Sequence, residues 1–200
     1  MNLLIDLVPS SVDINGKKYE INSDFRTSIL FELLMRDNLM QNKDKFNIAL
    51  KLYYPVIPKD STLAIEQLLW FYRCGKDVVN SRGNGKGQGM GSTQIYSFEH
   101  DDDYIYAAFM DQYNIDLQDI EYLHWWKFKA MFKSLKEDNM IVKIMGYRSI
   151  DLSQIKDKEQ KSYYKKMKEI YKIPIPQDEQ EKLDEITNAL LSGDDLSKLL

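Results

Sequence analysis

The 200 residues carry 31 acidic and 27 basic side chains, for a formal net charge of −4 and a pI near 5.3, so no overall positive field draws the chain to nucleic acid or to an anionic membrane. With 44% apolar and 12% aromatic residues, the composition is that of a packed globular protein of one large or two small domains. The single cysteine, Cys74, excludes an internal disulfide; no CxxC or Cys/His set suggests zinc, and no signal peptide or run of about 18 apolar residues occurs, so a soluble cytosolic protein without cofactor or metal is expected.

From the N-terminus, Leu3–Val8 has strand character that Pro9 interrupts. Val12–Ile14 and Lys17–Ile21 flank Asn15-Gly16, the pair that best tolerates the positive φ angles of a type I′ turn, which predicts a small β-hairpin. Phe25, Ile29, Leu30, Leu33 and Leu34 then line one face of a helix to about Arg36, with Ser23 or Asp24 as its cap. Lys43–Tyr53 and Ser61–Arg73 continue the helical pattern, separated by Pro55 and Pro58, with Gly75 just past the second end.

Between Gly75 and Gly91 lie six of the nine glycines. GxxxxGK[ST] is absent and GxGxxG cannot be threaded through the stretch, so it reads as a flexible linker rather than a phosphate loop. Asp101-Asp102-Asp103 then place negative charge at the start of a helix carrying Tyr104, Ile105, Ala108 and Phe109, which Asn114 can end.

Asp116–Leu135 is predicted as the organising helix of the C-terminal half. Leu117, Ile120, His124, Phe128, Met131 and Leu135 recur at steps of three and four, Tyr122, Trp125 and Phe132 widen the stripe, and Asp116 with Asp119 marks the start. Trp126 lies about 100° around the helix from Trp125 and is expected to be partly exposed, as a candidate partner contact. Met140–Tyr147 is apolar, Asp157–Tyr171 is a lysine-rich helix, and Ile173-Pro174-Ile175-Pro176 breaks it.

Leu183, Ile186, Leu190 and Leu191 then form the stripe of an acidic amphipathic segment, read as a partner-docking or self-masking helix. Charge is blocked: Ser97–Tyr122 has eight acidic and no basic residues, Lys127–Lys172 thirteen basic and six acidic, Pro174–Asp195 one basic and seven acidic. These blocks can pair within the fold, or the acidic tail can exchange between the basic stretch and a partner. The expected organisation is mainly α, with two helical units joined by a Gly-rich linker: hairpin plus helices over 1–75, linker over 76–95, a helical domain over 96–173 and an acidic tail over 174–200.

No paired acids in an apolar setting, nucleophile with base, or HExxH spacing is found, and only His100 and His124 exist; no enzyme activity is expected. The residues Tyr96-Ser97-Phe98-Glu99, Tyr104-Ile105-Tyr106-Ala107-Ala108-Phe109, Gln112-Tyr113-x-Ile115-Asp116-Leu117, Leu123-His124-Trp125-Trp126-x-Phe128, Tyr147-Arg148-x-x-Asp151 and, earlier, Trp70-Phe71-Tyr72-x-Cys74-Gly75-Lys76 resemble the bacteriophage gp-fifteen family. The resemblance covers most of residues 25–172. Members come from tailed phages and prophages of Gram-positive bacteria, with genes just ahead of the tape-measure gene. It therefore implies a tail assembly chaperone in the host cell cytoplasm that binds the tape measure and tail-tube proteins. A minor tail or connector protein of the virion is the alternative. Nucleic-acid binding, resting on the basic residues of the linker and of Asp157–Lys172, is the third reading.

Overall fold

The computed structural model describes residues 2–76 and 94–174. Strands β1 (Ser11–Ile14) and β2 (Lys17–Glu20) pair antiparallel, with Val12 opposite Tyr19. Asn15 and Gly16 turn between them at φ 54° and 77°, and the Asp13 carboxylate accepts the Gly16 N–H at 2.9 Å. Seven helices follow among the described residues: α1 (Phe25–Arg36), α2 (Asn42–Tyr53), α3 (Ser61–Tyr72), α4 (Asp102–Tyr113), α5 (Trp125–Lys133), α6 (Met140–Ser149) and α7 (Lys158–Ile170). The fold is mainly α with a small N-terminal hairpin. Aspartate side chains start three helices: Asp24 takes the Arg26 N–H, Asp60 the Leu63 N–H and Asp157 the Gln160 N–H. Asn114, in the left-handed conformation, ends α4.

The helix expected over Asp116–Leu135 is corrected by the structure. Asp116 accepts the N–H groups of Gln118 and Asp119, and its carbonyl that of Ile120, so the capping signal is used for one turn only. Beyond it the chain extends. Phe25 N–H donates to the Leu123 carbonyl and Trp125 N–H to the Ser23 carbonyl, at 2.9 and 2.8 Å, in an isolated antiparallel bridge between Asp24 and His124. Arg26 holds the turn by donating to the carbonyls of Leu117 and Ile120, both at 2.8 Å. Helix α5 therefore starts at Trp125, with His124 as its cap: the ring Nδ1 accepts the Trp126 N–H at 3.0 Å. Nε2 then carries the proton and donates to the Pro9 carbonyl at 3.1 Å.

The start of α5 also completes the end of α3. Gly75 N–H reaches the Trp70 carbonyl and Cys74 N–H the Phe71 carbonyl, a Schellman arrangement with Cys74 at φ 58°. Two carbonyls of the last turn are met by indoles: Trp125 Nε1 donates to Tyr72 at 2.9 Å and Trp126 Nε1 to Phe71 at 2.7 Å. Trp126 is thus only 4% exposed, and its expected exposure is corrected: an edge-on contact with Trp70 and the close approach of Gly75 enclose the ring. Phe128 is sandwiched between Phe25 and Phe109, each stacked at 4.9 Å.

Residues on both sides of 77–93 share this core, from Val12 to Ile141, and the first compact unit runs Met1–Gly146. Residues of the expected domains 1–75 and 96–173 therefore meet in one unit: α1 and α3 pack on α2 through Phe31, Tyr53 and Phe71, and Phe25 and Phe71 also meet Phe128 and Trp126 of α5. The linker expected over 76–95 and the acidic tail over 174–200 fall, apart from their ends, outside the described residues. The second unit begins at Tyr147; in it the Tyr147 ring meets those of Tyr163, Tyr164 and Tyr171, and Arg148 donates to the Tyr171 carbonyl.

Trp126→Ala should cost about 3–5 kcal/mol in urea denaturation; a loss under about 0.5 kcal/mol, as at an ordinary surface position, would show that the indole is not part of the core. In Gly75→Ala the new Cβ would stand 2.9 Å from the Trp126 ring at φ 68°, and the expected loss exceeds about 1 kcal/mol.

Burial lowers the His124 pKa from its ordinary 6.5, with the Pro9 carbonyl opposing and Lys127 adding to the effect. The folded chain thus holds the ring neutral at a pH where the unfolded chain takes up a proton. The contribution is intact above about pH 6.5 and is lost as pH falls from there toward the folded-state value. His124→Asn keeps a capping side chain and should flatten the fall in stability between about pH 7 and 5.5; an unchanged slope would remove His124 as its source.

Candidate partner-binding groove

An open groove of about 420 Å³ lies on the first unit. Its floor comes from Phe98, in the segment before α4, from Ile105 on α4 and from Phe128 on α5, all buried, with half-buried Ile29 from α1 and Leu117 from the 116–120 turn. Asp102 and Asp103, exposed in the first turn of α4, and Tyr106 and Gln118 complete the lining.

Each wall has a local cause. The segment entering α4 is clasped by Asp101, whose carboxylate accepts the Ser97 N–H at 2.8 Å while Asp101 N–H donates to the Ser97 carbonyl. Asp102 and Asp103 therefore follow a buried, bonded aspartate and stand at the positive end of the α4 dipole. One turn further along the same face of α4, Tyr106 donates its hydroxyl to Asp116 at 3.0 Å. The Gln118 N–H, ahead of the Tyr106 hydroxyl and the Asp119 N–H, holds the Asp116 carboxyl below its usual range; the same Tyr106–Asp116 bond raises the phenol. The 116–120 turn is thus tied to α4 as a charged, formed wall.

The groove has apolar depth for side chains and fixed negative charge at its edge. Its lining holds no histidine or cysteine, and its one hydroxyl, that of Tyr106, is engaged by Asp116. Among the described residues no group of three or more His, Cys, Asp or Glu is placed to hold a metal ion, and no helix is long and apolar enough to cross a membrane.

Of the residues singled out from the sequence, Leu117 and Phe128 line the groove. Ile120 and Met131 are half-buried against the core, and His124, Trp125, Phe132 and Leu135 are buried in it. Trp126 faces the end of α3 and is corrected as a partner contact. Leu183, Ile186, Leu190 and Leu191 lie outside the described residues. Sequence reasoning missed Ile29, Asp102, Asp103, Ile105, Tyr106 and Gln118 as one surface. The available signal was the wholly acidic block Ser97–Tyr122, read there only as charge.

The sequence pattern of the bacteriophage Gp15 protein family matches residues 4–173. No curated protein and no solved structure matches the chain.

Proposed function

The chain belongs to the bacteriophage Gp15 protein family, a family of phage structural or morphogenesis proteins, and on that premise we propose that it is a non-enzymatic assembly factor of the phage tail, acting in the host cytoplasm. Its groove takes a helix of the tape measure or tail-tube protein that presents an apolar stripe flanked by lysine or arginine. The observation that carries this reading is the groove's composition, apolar at depth and carboxylate at the rim. A basic amphipathic helix supplies both complements, burying a few side chains at about 1.5–3 kcal/mol each while its charges steer the encounter.

In co-purification with the cognate tape measure and tail-tube proteins, at least one should be retained. Asp102→Asn with Asp103→Asn should weaken retention about tenfold or more, equivalent to about 1.4 kcal/mol, while the fold loses only the helix-dipole share of about 0.3–1 kcal/mol per residue. Capture of neither protein, together with normal tails after deletion of the gene, would falsify the assembly role. Stoichiometric recovery of the chain from purified virions by mass spectrometry would replace it with a structural one.

A further inference from the structure

The second unit presents a helix face that its described residues leave uncovered. No residue of α7 is buried. Tyr163 is 50% and Ile170 55% exposed, with half-buried Tyr164 and Met167 between them, so an apolar stripe runs the length of the helix. Lys158, Lys161, Lys165, Lys166 and Lys168 accompany it against only Glu159 and Glu169. A 13-residue helix is marginal in water without tertiary packing, and the tyrosine contacts around Tyr147 supply no buried apolar residue.

We propose that this face is the docking surface for the chain's own acidic segment 177–191, which returns along α7 as the second arm of an antiparallel helical hairpin. Charge is the first argument: the segment carries Asp178, Glu179, Glu181, Asp184 and Glu185 against Lys182 alone, opposite in sign to α7. Connection length is the second, since only Tyr171–Pro176 intervenes between the arms and helix–helix connections of about 2–8 residues join antiparallel neighbours. Register is the third. A hairpin turning about Ile173-Pro174 sets Leu183 opposite Tyr164, Ile186 opposite Lys161 and Leu190 at the N-terminal end of α7. Burial of Leu183 and Ile186 on Tyr163, Tyr164 and the Lys161 stem supplies the affinity, and the charges set the orientation. An acidic amphipathic helix from another protein fits the same face and must displace the segment to reach it.

Hydrogen exchange of the full chain tests this. In Leu183→Asp/Ile186→Asp/Leu190→Asp, the α7 amides should exchange at least tenfold faster, while those of α5 report that the first unit is intact. Lys161→Glu with Lys165→Glu should also speed α7 exchange, and adding Glu181→Lys with Glu185→Lys should restore it. Unchanged α7 exchange in the triple variant, or no restoration by the exchanged charges, overturns the hairpin. Protection that vanishes on hundredfold dilution of the unmodified chain also overturns it, because a second copy would then be the cover.

Discussion

A four-atom exchange of backbone hydrogen bonds decides much of this structure: Phe25 N–H to the Leu123 carbonyl and Trp125 N–H to the Ser23 carbonyl. At this crossing two helices begin together, α1 capped by Asp24 and α5 by His124. Arg26 adds the third strand of the constraint, pairing with Asp24 at 3.3 Å while donating to the two carbonyls that end the 116–120 turn. The first consequence is the packing of Phe128 between Phe25 and Phe109. The second is the delivery of two indole N–H groups to the last carbonyls of α3. A buried polar group left without a partner costs about 1–3 kcal/mol, so each of these bonds matters more by its loss than by its formation.

Local chemistry in the sequence was readable wherever one residue type suffices. Asn15-Gly16 specifies its turn, Asp60 and Asp157 specify their helix starts, and Asn114 supplies the left-handed end of α4. The 116–135 stretch was misread because its three-and-four spacing is real on both sides of Tyr122, while the break between them is imposed by Ser23–Phe25 from far along the chain. Periodicity cannot register a partner so distant in sequence. Trp126 was misplaced for the same reason: its angle on α5 was right, but what meets that side is the end of α3. The groove was legible only as an acidic block, since its floor is assembled from four separate segments.

Two of the segments on which the family resemblance rests belong to this interlock. Trp70-Phe71-Tyr72-x-Cys74-Gly75 ends α3, and Leu123-His124-Trp125-Trp126 starts α5 and closes upon it. They identify the fold's keystone contacts. The other resembling segments supply Phe98, Ile105, Tyr106 and Leu117 to the acid-rimmed groove, whereas the lysine- and tyrosine-lined face of α7 is built from side chains outside them. The family pattern thus marks the groove and leaves the α7 face unmarked.

Asp24 and His124 are bridged across 100 positions of chain, and that separation bears on how the protein is made. At about 5–20 residues per second of synthesis, roughly 5–20 s pass between the appearance of the first partner and of the second. By the end of that interval Phe25, Phe31 and Phe71, all buried in the finished protein, have been made without α5 to cover them. A translating ribosome therefore carries an apolar surface that only the later half of the same polypeptide can close. That surface must be kept from aggregating until the later half has been made.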